Sequence, residues 1–415
     1  MALDYMQMLL GPIYYDLTDL RFNNQYGFHL SNQQLIEYKQ FKNRAVTNHA
    51  TGFVSLPLLS FNSQHVFYVA GQALCSLAIT YLNTVVADME ENNSTVVERQ
   101  FSDMLDARVY SELEGSMRIE NIPTTRTKME QIRNGMPPAD KNEFIARNMM
   151  EAIKFICQKP AFNKENLKKL YDILSKDCLE DDQVFNGYYR DDIVRIDDYE
   201  GCPADKIDAC MESMFDFVNW NLDGHDKAIM VLLPHICHYY VLYVHPYFDY
   251  NGRTARMVSL WINYLAGRED VGPMFISEAI NDDRKKYYES LRNTRDMDND
   301  ISYFLIYILN TSIRYSMIYR NLDWIVDESL QRGITLTRLE RVYIKKILMG
   351  SGGGYFDHKK FTRMANVDIS KQAALRALNK LVEYGILSSV INQKNVKLFK
   401  LNENCVKYSN DFLDK

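Results

Sequence analysis

The chain has 415 residues, 47% hydrophobic and 25% charged, enough for two or three domains with proper cores, and this composition excludes a disordered or fibrous protein. A formal net charge of −6 excludes wholesale coating of nucleic acid or anionic membrane. The seven cysteines form no Cys-x-x-Cys pair and lack histidine partners at zinc spacing, so reduced thiols in a cytoplasmic protein are expected.

The amino terminus lacks the basic start and uninterrupted apolar stretch of a signal peptide. Residues 1 to 60 are mixed in character and end in the apolar stretch Val54 to Leu59. The most apolar run, Val66 to Ala87, is interrupted by Gln72, Ser76, Thr80, Asn83 and Thr84. It predicts a buried helix from His65 to Glu91 and no membrane partner. A second helix, Val96 to Ala107, leads into Tyr110-Ser111-Glu112-Leu113-Glu114-Gly115, where Gly115 is expected as the C-terminal cap. Helices follow at Lys141–Gln158 and Asn163–Asp177, the second with Leu167, Leu170 and Leu174 on one face. Between Val184 and Tyr199 the texture changes, and Asn186 to Arg190, Asp191-Asp192 and Ile193 to Ile196 predict a short β-hairpin. Helices resume at Ala204–Asn219, Lys227–Val244, Arg253–Ala266, Arg284–Thr294 and Ile301–Asn321.

The last segment is basic. From Ile334 to Leu401 there are thirteen Lys/Arg against four Asp/Glu, a local +9, so the rest of the chain carries −15. Its predicted order is helix (Thr337–Met349), glycine loop (Gly350–Gly354), helix (Asp357–Ala365), helix (Ser370–Tyr384) and two strands (Ile386–Ile391, Val396–Leu401). That is the order of a winged helix-turn-helix, with Gly385 ending the third helix and Gln393-Lys394-Asn395 turning the wing. Lys371, Arg376 and Lys380 on or near the recognition helix suit DNA, although such folds also contact proteins. The glycine loop lacks the Lys-Ser/Thr of a P-loop.

The chemistry concentrates between two helices, at His245-Pro246-Tyr247-Phe248-Asp249-Tyr250-Asn251-Gly252-Arg253. A helix N-terminus offers free N–H groups and partial positive charge, which suits phosphate, and Asn251-Gly252 lets the backbone approach an anion. Arg253 and Arg256, three apart, share a helix face and can both reach an oligophosphate. Asp249 is a hard oxygen ligand suited to Mg²⁺. His245 has the pKa range of a general base for a hydroxyl proton. His235 and His238 lie in an apolar helix with no carboxylate or cysteine to complete a metal set, and packing is their expected role.

This loop resembles the signature of the Fic family, HPFxx(G)NGRxxR, at His245, Pro246, Asn251, Gly252, Arg253 and Arg256, with Tyr247 for the usual Phe and Asp249 at the acidic position. His238 to Val244 resembles the preceding family helix; Ile276-Ser277, Arg284 and Tyr287 to Leu291 resemble the following ones, with Tyr287 and Tyr288 candidates to flank an adenine. Gly187-Tyr188-Tyr189-Arg190 with Val194-Arg195-Ile196 is similar to the family's flap, which aligns a target by strand pairing. One residue departs: Tyr250 stands where the first glycine of the nest is usual, restricting the backbone and adding bulk beside the α-phosphate. It would weaken the site, adapt it to another nucleotide, or leave it unaffected if the ring points outward. Ser111 to Gly115 is similar to the family's inhibitory motif, (S/T)xxxE(G/N), with Tyr110 at the Ser/Thr position, which implies that Glu114 pairs with Arg256.

The resemblance covers roughly residues 95 to 310 and implies a mainly α fold, a Fic-type helical bundle with a small β-hairpin flap plus the winged helix-turn-helix. The implied domains are an N-terminal helical region (1–94), a Fic-like core (95–325) with the inhibitory helix near 105–115, and the winged helix (330–405). The implied activity is transfer of AMP from ATP to a protein Ser, Thr or Tyr hydroxyl. His245 would act as base, Asp249 would hold Mg²⁺, and Asn251, Gly252, Arg253 and Arg256 would position the triphosphate, with Glu114 as brake. The alternative is a DNA-associated regulator, bound through 334–401, whose Fic domain binds nucleotide with little or no transfer. Family members of this arrangement often form homodimers.

Overall fold

A computed structural model describes residues 4–22, 29–86, 98–196, 199–224, 228–268, 276–351, 353–365 and 369–407. The chain divides into two compact units, Met1–Ser312 and Ile313–Lys415.

The first unit begins with α1 (Tyr5–Leu10), α2 (Leu17–Phe22) and α3 (Asn32–Thr47), the last started by a reciprocal capping box between Ser31 and Gln34. β1 (Phe53–Ser55) pairs antiparallel with β2 (Phe67–Val69). The helix expected from His65 to Glu91 therefore starts later, as α4 (Gln72–Tyr81), which loosens into a π-helical stretch at Leu82–Val86; residues 87–91 lie outside the described residues. Apolar content alone satisfied both readings, but the aromatic and β-branched run before Gly71 is strand-forming. β2 is held at depth by Ile301, whose N–H donates to the Phe67 carbonyl at 2.8 Å.

Lys42 and Asp300, 1% and 0% exposed, form a 2.7 Å ion pair under Tyr38, Phe67 and Tyr303, with the Tyr14 hydroxyl donating to the same carboxylate. Burial lowers the Lys42 pKa, and Asp300 opposes that shift. Breaking such a pair strands a buried charge. Asp300→Ala is expected to lower stability by about 3–5 kcal/mol, seen as a fall in the urea midpoint; a loss under about 1 kcal/mol would mean that Lys42 finds water.

The site is carried by α5 (Glu98–Ile119), α6 (Arg126–Arg133), α7 (Lys141–Cys157), α8 (Lys164–Ser175), α9 (Ala204–Leu222), α10 (Leu233–Val244), α11 (Asn251–Leu265), α12 (Ile276–Asp282) and α13 (Arg284–Asp296). α10 is apolar almost all round and nearly every residue is buried, as a central helix must be. α11 packs against it, with Trp261 seated between Phe155 and Phe162. α5 does not stop at Gly115. A Cβ there would lie 2.5 Å from the Glu278 backbone nitrogen, so the glycine serves the close approach of α5 to α12 rather than a helix cap.

The hairpin is narrower than expected and differently paired. β3 (Arg195–Ile196) pairs with β4 (Tyr199–Glu200), whereas Asn186 to Arg190 forms no strand. Arg190 is committed elsewhere: its N–H donates to the Pro246 carbonyl at 3.0 Å. Among the described residues no helix is long and apolar enough to cross a membrane.

α14 (Ser302–Gln331) runs through the division between the units. Beyond it, α15 (Arg338–Gly350) starts at a Thr337–Glu340 capping box, followed by α16 (His358–Ala365), α17 (Lys371–Glu383, capped by Ser370) and the antiparallel pair β5 (Leu387–Ile391) and β6 (Lys397–Leu401). Gly385, at φ +72, turns the chain out of α17, and Phe356 bridges to Phe399 beside the pair. Ile344, Ile347, Phe361, Leu378 and Phe399 form the core of this unit.

Candidate active site

The motif loop is closed at both ends by residues in the left-handed region: His245 (φ 54) after α10 and Tyr250 (φ 65) before α11. For a residue with a Cβ this costs about 1–2 kcal/mol each, so the loop has to be held from outside. Asn251 holds it. Its side-chain oxygen accepts the Tyr247 N–H at 3.0 Å and its amide donates to the Tyr247 carbonyl at 2.7 Å. Asn251, expected among the phosphate contacts, thus spends its side chain shaping the loop. Tyr247 is fully buried and stacks on Tyr171 at 3.8 Å, and the Tyr250 N–H donates to Asp249 Oδ1 at 2.5 Å.

His245 Nδ1 lies 3.4 Å from the Leu242 carbonyl, a contact that places the proton on Nδ1 and leaves Nε2 as acceptor. Burial lowers its pKa to about 4; the Leu242 carbonyl opposes this, and the nearby Arg190 charge reinforces it. The imidazole is therefore neutral at physiological pH and able to take a proton. Sequence reading missed Arg190 as a site residue. Its buried guanidinium donates to the His245 carbonyl at 2.8 Å, to the Cys202 carbonyl at 2.5 Å and to the Asp192 carbonyl, tying the loop to the base of the hairpin.

The first N–H groups of α11 have no partner within the helix, and Tyr250 gives them no side-chain cap. Arg253 is 5% exposed, and its Nε and Nη1 have no hydrogen-bond partner among the described residues. Buried, unpaired guanidinium donors beside an open helix N-terminus fit an anion. The remaining Arg253 nitrogen lies 3.7 Å from Asp249, whose side chain is 44% exposed. Among the described residues no cluster of three metal-ligating side chains occurs. A lone accessible carboxylate fits Mg²⁺ of the kind that takes most of its ligands from phosphate and water.

Glu114 does not reach Arg256. It pairs with Arg118, one turn along α5 at the surface. Arg256, 3% exposed, donates instead to Glu120 Oε1 at 2.8 Å and to the Ser116 hydroxyl at 3.0 Å. Ser116-Met117-Arg118-Ile119-Glu120-Asn121 also resembles (S/T)xxxE(G/N), at every position, where the upstream segment needs Tyr for Ser. Burial alone would raise the Glu120 pKa, but Arg256, with Arg253 and Arg284 behind it, holds the carboxyl below its usual range. Arg284 donates to the Ile119 carbonyl at 3.2 Å, to Asn121 Oδ1 at 2.8 Å and to the Arg118 carbonyl, fixing the end of α5. A Cβ on Gly252 would lie 2.9 Å from Glu120 Oε1, so the glycine lets this carboxylate sit against the start of α11. Upstream, buried Glu112 accepts from the Ser277 N–H at 2.9 Å and from its hydroxyl, fastening α5 to α12.

His235, His238 and Tyr287 are core. His238 Nε2 lies 3.0 Å from the Tyr287 hydroxyl, both groups buried, while Tyr288 is exposed. His235 is buried edge-on to Tyr81.

The site is a loop between two packed helices of a helical bundle, with the Glu120 carboxylate against the start of the second. Residues 161–262 match the model of the Fic/DOC family, and the chain carries a Fic/DOC domain there. A Fic family protein from Desulfovibrio desulfuricans has the same fold, at a TM-score of 0.50 and 17% identity over 81% of this chain and 98% of that one. Also similar are residues 134–508 of Fic-1 from C. elegans (TM-score 0.48, 16% identity, 69% and 83% covered). A Fic domain containing signaling protein from Bacteroides thetaiotaomicron follows (0.47, 15%, 64% and 99%). No curated protein matches the chain.

Proposed function

We propose that this chain is a protein adenylyltransferase, moving AMP from ATP to a protein hydroxyl, and that Glu120 restrains it. The observation that carries the reading is the buried guanidinium of Arg253, with two donors unpaired, beside the open N-terminus of α11 and the neutral His245. The triphosphate lies along the start of α11, clamped by Arg253 and, once Glu120 leaves, by Arg256. His245 Nε2 takes the proton of the target hydroxyl as its oxygen bonds to the α-phosphorus and pyrophosphate departs. Asp249 is the residue that would hold Mg²⁺, which supplies charge neutralisation to the phosphates. In the present arrangement Glu120 competes for the same guanidinium and for the same helix end.

The test uses Glu120→Gly and ATP labelled at either the α- or the γ-phosphate. Label entering protein only from the α-position supports the reading. Entry from the γ-position instead would replace it with phosphoryl transfer.

A second activity, on the other unit, is duplex DNA binding. Lys371 and Arg376 on α17 and Lys394 between β5 and β6 are exposed, within a segment of local charge +9. Lys380 is excluded from that set, since it pairs with Glu340 at 2.7 Å. The full chain is expected to bind duplex DNA with a log–log salt slope that the pair Lys371→Ala, Arg376→Ala reduces by about 2. A fluorescence anisotropy titration showing no binding at low salt would end this proposal.

A further inference from the structure

Tyr250 occupies a backbone conformation that glycine adopts without strain, and what the side chain does there accounts for its presence. Its ring does not point outward. It is 2% exposed and lies under the Arg253 guanidinium, 3.5 Å from ring centroid to Cζ. Among the described residues the Arg253 Nε and Nη1 make no hydrogen bond, its remaining nitrogen lies 3.7 Å from Asp249, and the Glu120 charge is nearby. An arginine so loosely tethered would lose several rotamers on meeting an anion, and that entropy weakens binding. The hydroxyl of Tyr250 is buried against the Cys178 thiol, a weak hydrogen-bond partner, and it is the ring face that meets Arg253.

We infer that Tyr250 is a positioning residue, whose ring face presets the Arg253 guanidinium for the nucleotide phosphates by cation–π stacking in place of the freedom a glycine would leave. This rests on the nucleotide-transfer reading above, and it makes Tyr250 an adaptation of the loop rather than a defect in it. The role belongs to the aromatic face, not to bulk. Phenylalanine keeps it; leucine keeps a buried apolar side chain but not the face; glycine removes both.

The experiment compares Tyr250→Phe, Tyr250→Leu and Tyr250→Gly in the full-length Glu120→Gly protein. The readouts are KM for ATP, kcat, and the NMR order parameter of the Arg253 Nε–Hε group without nucleotide. Circular dichroism confirms folding, and Leu against Phe decides the matter if the glycine variant unfolds. The expected result is a KM within about twofold for Phe and about tenfold higher for Leu and Gly, with kcat moving less, since His245 is untouched. The Arg253 group should be rigid with Tyr or Phe and loosened with Leu or Gly. Equal Arg253 order in the Phe and Leu variants overturns the inference, whatever the activity. An Arg253 group loosened only without the aromatic face, in proteins that transfer no AMP, upholds the positioning role while the transfer reading falls.

Discussion

Replacing Glu120 by glycine is expected to raise AMP incorporation about ten- to a hundredfold, whereas Glu114→Gln leaves it at the wild-type level. The magnitude follows from the contact removed. A buried charge-assisted hydrogen bond is worth about 1.5–3 kcal/mol, and each 1.4 kcal/mol or so is tenfold in rate when the blocked state is the ground state. Arg256 is almost wholly buried, and on the proposed reading its 2.8 Å bond to Glu120 stands where a phosphate oxygen would bind. Glu114 pairs with Arg118, whose side chain is more than half exposed, and a surface pair of that kind carries little energy. Quantifying label from α-labelled ATP in the three proteins separates the two glutamates. A rise with Glu114→Gln but not with Glu120→Gly would show that α5 docks differently in solution.

The second large effect concerns His245. Its replacement by alanine, in the Glu120→Gly background, is expected to cut transfer by about 10²–10⁴, the usual worth of a positioned general base. The same residue predicts an unusual pH profile. Because burial holds its pKa down at about 4, the base form persists through the acid range in which an ordinary histidine would be protonated. The acid limb of kcat/KM should therefore fall near pH 4, with a plateau from neutral pH down to about 5. The stability sign is consistent. The unfolded chain takes up a proton below about pH 6.5 that the native imidazole refuses until about pH 4, so this group lowers stability as pH falls through that window. A limb near 6.5 in stopped assays across pH would place His245 in water and remove Arg190 and burial as its controls.

Much of the site was legible without a structure because its chemistry is contiguous. Residues 245 to 256 put His245, Asp249, Gly252, Arg253 and Arg256 within one loop and the first turns of a helix, so spacing alone brings them together. Helices in both units were legible for a similar reason: local signals such as the Asn163, Ser370 and Thr337 caps act over three or four residues.

What only the tertiary structure decided were the contacts made at long range. Ser111 to Glu114 and Ser116 to Glu120 belong to one stretch of chain and resemble the same motif, the second at every position, but a motif match alone does not say which glutamate meets Arg256. The choice was made by packing. Gly115 lets α5 press onto the backbone of α12, Glu112 fastens it there, the helix runs one more turn, and Arg284 holds its end so that Glu120 meets Arg256. Arg190 was hidden for the same reason, being 55 residues from the histidine carbonyl it holds. Tyr250 looked like an obstruction because a residue type reveals its bulk but not the direction of its ring. Composition and spacing thus brought the loop's candidate residues together. Which side chains fix the loop, and which carboxylate meets Arg256, depended on buried hydrogen bonds and ion pairs whose partners the chain supplies only when folded.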